Sequence, residues 1–442
     1  MDKDTWFNNK KIIQKSKKSY AHFDLRTNIT KVRNYITQPE KIAHHGFYPF
    51  IKYKLVYKKF SKEKGKEYVK ERIICYAAHI DRCIYQYYSA LLNEKYNLRL
   101  KQEGINLIPV AYRTNLHCNN IEIFHNIVKF IKNQSSCYIM IGDFTDFFDK
   151  IDHLYLKKQL CNLLEVNTLT QDYYAIFKSV TQYNSWELKD ILNLNHLKNT
   201  KADVKKLNTK NRILSRKLFK MYRKHIHCNK SGKGIPQGSP ISACLANIYM
   251  LELDKKINDF VQSRGGMYRR YSDDFVIILP IQSQTQQDIE EIITLFDKWK
   301  KEGILELQSE KTQVFKLNKK NHLKNIGHLF IPKLNESKHK INFLGFSFDG
   351  KQVVIRDKAI SKYYYRMRHK AIGIARKYNR KNGYKGSDKL YRLYSERGEY
   401  GKGNFLTYVR RVKKNFPNDP IDTPTKNNMV KIRKTLEHYK SN

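Results

Sequence analysis

The sequence has no uninterrupted apolar run of about 18 residues, so no bilayer-spanning helix is expected and no membrane partner is inferred. Met1 to Tyr20 is lysine-rich and lacks the apolar core of a secretory signal, so a cytoplasmic location is expected. Cysteine is sparse and scattered, at positions 75, 83, 118, 137, 161, 228 and 244. The count is odd and no two form a Cys-x-x-Cys pair. That excludes a disulfide framework and reads as buried thiols in a reducing compartment, with a zinc site left open only where Cys228 lies near His225 and His227. Acidic residues are few beside basic ones, 41 against 85, for a formal net charge of +44. A compact body with such an excess repels itself unless a polyanion answers it; nucleic acid is the first candidate and an anionic membrane surface the second. There is no internal repeat and no low-complexity domain. Apolar residues make up 40% of the 442, which excludes disorder of the whole chain and allows two or three domains or one multi-lobed unit.

Along the chain, the first 70 residues are basic and broken up, ending in a Lys/Glu run over 58–70. The spacing of Ile73, Ile74, Ala77, Ile80, Ile84, Tyr88 and Leu91 predicts a helix over Glu71–Tyr96, and a second is expected over Ile121–Lys132. Tyr138–Gly142 reads as a short apolar strand running into acidic and aromatic residues. Residues 155–228 are polar, helical and without distinctive features. Gly232–Pro240 is a Gly/Pro-punctuated loop with a helix over Ile241–Asp254 after it. Tyr268–Leu279 reads as a hairpin, Gln286–Glu302 as a helix, and Leu305–Leu317 and Ile341–Ile355 as strands. Beyond Ala359 the chain is helical and strongly basic.

Chemistry concentrates in two places. In Tyr268-Arg-Arg-Tyr-Ser-Asp273-Asp274-Phe-Val-Ile-Ile-Leu279, apolar segments flank an acidic pair, as a tight hairpin requires. Neighbouring carboxylates repel unless a cation sits between them. Alone, the pair would be an ordinary solvated turn. A second acidic cluster, however, ends the earlier strand at Asp143-Phe-Thr-Asp-Phe-Phe-Asp149. Two such strands side by side would bring Asp143 against Asp273. The cluster could then hold two Mg²⁺ roughly 3.5–4 Å apart for in-line phosphoryl displacement.

These residues carry a family resemblance. Tyr271-Ser-Asp-Asp274 resembles the Tyr-x-Asp-Asp box of reverse transcriptases. Asp143 with Phe147-Phe148 resembles their first carboxylate motif. Gly234-Ile-Pro-Gln-Gly-Ser-Pro240, with Ala243, Leu245, Ala246 and Asn247, resembles their template–nucleotide loop and helix. The order and approximate spacing agree. The resemblance implies an α+β right-hand polymerase fold with helical fingers, an antiparallel palm sheet flanked by helices, and a small basic helical thumb. The expected domains are 1–135 (N-terminal extension and fingers), 136–358 (palm, with an insertion at about 155–230) and 359–442 (thumb-like region). It implies Asp143, Asp273 and Asp274 as catalytic metal ligands, joined by the backbone carbonyl of Phe144, with two Mg²⁺ for which Mn²⁺ can substitute. Lys311, in Leu307-Gln-Ser-Glu-Lys-Thr312, matches the lysine that protonates leaving pyrophosphate. Arg113, in Ala111-Tyr-Arg113, matches the fingers arginine that binds the incoming dNTP. Phe148 matches the aromatic that excludes a ribose 2′-hydroxyl, and Gln237 and Gly238 lie at the nucleotide. Phe343-Leu344-Gly345-Phe346 resembles the primer-grip hairpin. Arg72, Asp81 and Arg82 fall in a helix resembling the extra fingers region of bacterial enzymes. Arg366, Arg368, Arg376, Arg380, Arg410 and Arg411, with interleaved tyrosines, suit a thumb gripping a nucleic-acid backbone.

Missing patterns narrow the subfamily. No Val-Thr-Gly triplet and no Asn-Ala-x-x-His pattern is present, against a retron enzyme. About 90 residues follow the primer grip, with no Cys/His endonuclease pattern, RNase H or integrase segment, against intron-encoded and retroviral proteins. Ala-Tyr-Arg-Thr-Asn, His79-Ile-Asp-Arg82 and the compact basic C-terminus look most like the bacterial unknown-group, defence-associated and abortive-infection enzymes. The resemblance therefore implies an RNA-directed DNA polymerase copying a structured noncoding RNA into cDNA in anti-phage defence, alone, as a homo-oligomer or with a second subunit. The alternatives are a template-independent or protein-primed DNA polymerase, a retron or group II intron-like enzyme, and a non-catalytic RNA-binding scaffold.

Overall fold

The computed structural model describes residues 2–61, 66–282, 285–331, 339–378, 383–399 and 403–440. Its strands, numbered along the chain, are β1 (Phe50–Ser61), β2 (Lys66–Tyr76), β3 (Cys137–Asp143), β4 (Asn184–Glu187), β5 (His227–Cys228), β6 (Met267–Tyr271), β7 (Asp274–Pro280), β8 (Gln313–Leu317), β9 (Leu323–Asn325), β10 (Ile341–Phe343), β11 (Phe346–Phe348) and β12 (Val353–Ile355). The chain divides into two compact units. One comprises Met1–Arg113, Phe144–Asp259 and Thr294–Leu307; the other comprises Thr114–Asp143, Phe260–Ile293 and Gln308–Asn442.

The second unit is built on a five-stranded antiparallel sheet in the order β6-β7-β3-β8-β9. β3 is central, and its seven residues are all buried. That explains why Tyr138–Gly142 reads as a continuous apolar run rather than an alternating one: both faces of the strand are covered. The helix Asn120–Lys132 starts at a capping box, in which Asn119 accepts from the first turn and Glu122 accepts the Asn119 N–H. It buries Ile121, Phe124, Ile127, Val128 and Ile131 along one face. Phe124 stacks on Phe346 of the small antiparallel sheet β10-β11-β12, with ring centres 5.0 Å apart.

The basic C-terminal segment forms helices Asp357–Ala375, Ser387–Tyr394, Phe405–Asn415 and Asn428–His438. Met367, Ala371 and Ala375, four residues apart, lay one apolar stripe against Leu390, Ile432 and Leu436. Burying each Leu, Ile or Met of that seam contributes about 1.5–3 kcal/mol, so the lysines and arginines can remain outside.

The first unit carries a four-stranded sheet in the order β2-β1-β4-β5, with β1 and β2 paired antiparallel through eleven residue pairs and β1 parallel to β4. Phe23, Ile51, Trp186, Ile191, Leu207 and Leu214 form the core beneath it. Glu71–Tyr76, expected to be helical, is strand, and the helix begins only at His79. Periodicity misled here because Ile73 and Ile74 end a strand, Ala77 lies in the connection and Ile80 opens the helix, and the junction mimics helical spacing. The β-branched run Val69, Ile73, Ile74 was the better indicator. The first unit therefore carries a sheet as well as helices, within the α+β class expected. Inside the helix His79–Gln102, Asp81 is buried; it accepts the Tyr48 N–H at 2.9 Å and pairs with His45 at 2.8 Å. All seven cysteines are free thiols, and Cys75, Cys83, Cys137 and Cys244 are buried. No described helix is long and apolar enough to cross a membrane.

Candidate active site

Asp143 ends β3 and faces Asp274, the first residue of β7, in the antiparallel register. β6 and β7 pair up to Tyr271↔Asp274, which leaves Ser272 and Asp273 as a two-residue turn. Ser272 sits at φ +62°, a conformation that ordinarily calls for glycine. The turn is held from within: Arg270 is fully buried and donates from Nη1 to the Ser272 carbonyl at 2.9 Å. Sequence reasoning passed over Arg270 as one more cation in a basic chain.

The electrostatics are those of crowded like charges. Burial, then the charges of Asp273 and Asp143, push the Asp274 carboxyl up to about 7, and burial followed by Asp143 also raises Asp273. Lys311 and Arg356 act in the opposite direction on Asp274. Lys311 is placed by a short 3₁₀ turn, Ser309–Lys311, tied to β3 through the Gln308 N–H, which donates to the Asp143 carbonyl at 2.8 Å. Its ammonium forms an ion pair with Asp143 Oδ2. Asp143 Oδ1 is buried and accepts no hydrogen bond.

An orphaned carboxylate oxygen beside raised carboxyls fits a divalent cation. Among the described residues no group of three or more Asp, Glu, His or Cys side chains is placed to hold a metal ion by itself. The same result leaves the Cys228/His225/His227 grouping without a cage.

The Phe343–Phe346 hairpin lies in the same unit. Phe343 pairs with Phe346 across a two-residue turn in which Leu344 (φ +49°) and Gly345 (φ +91°) are both left-handed. The Leu344 carbonyl accepts from Asn120 Nδ2 at 3.1 Å and the Gly345 carbonyl from the Arg356 N–H at 3.0 Å. Arg356, absent from the expectations, thus braces this turn while its charge bears on Asp274. Arg366, Arg368 and Arg376 are exposed, on or just past the helix Asp357–Ala375. Arg410 and Arg411 are exposed on Phe405–Asn415, with Arg410 Nε 2.5 Å from Glu399 Oε1. Arg380, and 62–65 of the Lys/Glu run, lie outside the described residues.

In the first unit, the loop that carries Gln237 and Gly238 is tied to the backbone of Phe148 and of Ile151. The Ile235 N–H donates to the Phe148 carbonyl at 3.0 Å and the Gly234 N–H to the Ile151 carbonyl at 2.8 Å. Gln237 accepts the Cys75 N–H at 2.8 Å, docking the loop on β2. Gly238, at φ +114°, is required there, since a Cβ would stand 2.5 Å from the Cys75 carbonyl. Phe148 is half-buried, against Phe147. Phe144 directly follows Asp143 in the chain and bridges to Leu307.

Three basic residues differ from expectation. Arg113 is buried: Nε donates to Asn97 Oδ1 at 2.8 Å, Nη1 to the Pro109 carbonyl at 3.1 Å and the Asn106 carbonyl, and Nη2 to Asn106 Oδ1 at 2.6 Å. It is an internal tie, with its guanidinium occupied by protein acceptors rather than presented to a triphosphate. Arg82 is likewise largely inside, donating to the Lys15 carbonyl at 2.7 Å, with burial lowering its pKa. That role suits a clamp on the N-terminal helix rather than a strand contact. Arg72 is exposed, but on β2 and not on a helix.

An antiparallel sheet presenting carboxylates from a central strand and an adjoining hairpin is the palm of a nucleic-acid polymerase. The reverse transcriptase (RNA-dependent DNA polymerase) family model matches residues 62–348, and the chain belongs to that family. Among solved structures, apo telomerase from Candida tropicalis, truncated of its C-terminal domain, is similar at 16% identity and a TM-score of 0.40, covering 71% of this chain and 56% of that one. Telomerase from Candida albicans with a fragment of telomeric RNA is similar at 11% identity and a TM-score of 0.39, covering 95% and 69%. The chain thus spans little more than half the length of the first of these. No curated protein matches the sequence.

Proposed function

We propose that this chain is an RNA-directed DNA polymerase that adds dNTPs to a 3′-hydroxyl at Asp143, Asp273 and Asp274. The observation that carries the reading is Asp143 set opposite Asp274 in register, with an orphaned Oδ1 and a neighbouring carboxyl raised to about 7. Two Mg²⁺, or Mn²⁺ in their place, would supply activation of the 3′-hydroxyl and neutralisation of the leaving pyrophosphate. The Phe144 carbonyl is the candidate fourth protein ligand. Lys311, close to Asp143, is the proton donor to pyrophosphate. Phe148 excludes the 2′-hydroxyl beside the Gln237–Gly238 loop, the Phe343–Phe346 turn positions the primer end, and the exposed arginines of 359–442 hold the nucleic-acid backbone. Residues 1–135, 136–358 and 359–442 then serve as fingers, palm and thumb.

By resemblance to the bacterial defence-associated enzymes, the template is a structured noncoding RNA and the setting anti-phage defence. The test is extension of a primer on RNA with dNTPs and Mg²⁺. Synthesis is expected to vanish in the Asp273→Ala, Asp274→Ala double variant while RNA binding stays nearly intact; retained synthesis refutes the assignment. Product sequenced with and without RNA separates templated from untemplated extension. Phe148→Ala is expected to admit ribonucleotides, and an unchanged dNTP/rNTP preference would sink the gate.

A further inference from the structure

From Val204 to Leu251 the chain has eleven lysines and arginines and not one aspartate or glutamate. Part of that stretch folds as the helix Arg216–Met221 followed by the 3₁₀ turn Arg223–His225. The spacing of Arg216, Lys220 and Arg223, four then three residues, aligns them along one side. They rim a cavity of about 460 Å³ in the first unit, with Arg212 as a fourth cation and no acidic residue in its lining. This lies within the range of small-ligand sites, roughly 300–1,000 Å³. Its inner wall is aromatic: Phe219 meets Phe23 edge-on at 4.9 Å and Tyr48 at 6.2 Å. Arg212 Nε is buried without a hydrogen-bond acceptor. A buried guanidinium N–H left unpaired is costly, and an anionic oxygen is its natural complement.

We propose that this cavity is a second, non-catalytic nucleotide site, which takes an unpaired nucleotide of an RNA strand with its base against Phe219 and Tyr48 and its phosphates on Arg212, Arg216, Lys220 and Arg223. Aromatic faces accept any base, so the site fastens the strand without reading its sequence. An arrangement of one aromatic wall and only cations distinguishes it from an ordinary solvated basic face, which needs no cavity and carries interspersed acids. The choice of RNA as the strand rests on the polymerase reading; the cationic, aromatic chemistry of the site does not.

The test is binding of a fluorescent single-stranded RNA to the full chain, without dNTP or divalent metal, over a series of salt concentrations. Arg216→Gln with Lys220→Gln and Arg223→Gln is expected to weaken binding about tenfold or more and to flatten the log–log salt slope by about 2, three phosphate contacts at about 0.7 each. Arg216→Lys with Arg223→Lys is expected to retain the slope. Phe219→Leu, which keeps the apolar packing, is expected to weaken binding severalfold at unchanged slope. Unchanged affinity in the triple variant overturns the proposal, provided its thermal melt matches the parent. So does an equal loss on neutralising Lys10, Lys11 and Lys15, which would make the effect one of net charge. AMP binding abolished by the triple variant while RNA binding persists overturns the strand and leaves a free-nucleotide pocket. Because no synthesis is measured, failure here leaves the polymerase reading standing, and an inactive polymerase would leave this result standing.

Discussion

Two tight hairpin turns in one unit solve different problems with similar backbones. Ser272-Asp273 and Leu344-Gly345 are both two-residue loops, and each places a non-glycine residue at positive φ. The first concentrates negative charge and is clamped from beneath by buried Arg270. The second carries no charge; its two carbonyls are held by Asn120 and by the Arg356 N–H. The difference separates two uses of a turn. One fixes where a field originates, the other fixes where a main chain lies, and each is stabilised by the element its task leaves available.

The comparison breaks most sharply at Arg270. Arg270→Met leaves a buried carbonyl without its donor, expected to cost about 1–3 kcal/mol in a thermal or denaturant melt. Displacement of Asp273 should lower kcat about a hundredfold; a kcat within threefold of the parent would show that the turn needs no clamp.

The pH response of the charged turn is the next largest effect. The Asp274 carboxyl is raised from 3.8 to about 7. It holds its proton more tightly folded than unfolded. It therefore adds stability that is full below about pH 4 and is lost as pH climbs through about 7. In metal-free buffer the melting temperature is expected to fall across that window, and Asp274→Asn to flatten the fall. An identical profile in the variant would place the proton elsewhere.

At the uncharged turn the corresponding change is milder. Asn120→Ala removes a neutral hydrogen bond to the Leu344 carbonyl and should cost about 0.5–1.5 kcal/mol. It should raise KM for primer–template a few-fold with kcat unchanged; a fall in kcat alone would assign this turn an electrostatic part. Smallest of all, Leu344→Asn puts a residue that tolerates φ +49° in its place and should alter stability by less than about 1 kcal/mol.

The charged hairpin and the first carboxylate were legible in the sequence because acids at the ends of apolar strands have few explanations. The same holds for the Gly234–Pro240 loop, whose glycines answer to backbone contacts at Asp149 and Cys75. Burial was not legible. Arg113, Arg82 and Arg270 look like their exposed neighbours in a chain with 85 basic residues, and only the acceptors around them, such as Asn97 and Asn106, reveal the difference. The acid-free stretch before Glu252 was visible as composition, but its cations spread over helix, turn and loop, so their convergence on one cavity depended on the fold.

The bond from the Cys75 N–H to the Gln237 carbonyl, with Gly238 pressed on the Cys75 carbonyl, makes the Gly234–Pro240 loop ride on β2. Residues 66–76 and their partner strand form a long two-armed lever whose short end is Gln237. A tilt of those arms would carry the 237–238 peptide with it. The position of the loop is thus set by the strand, through a single peptide hydrogen bond.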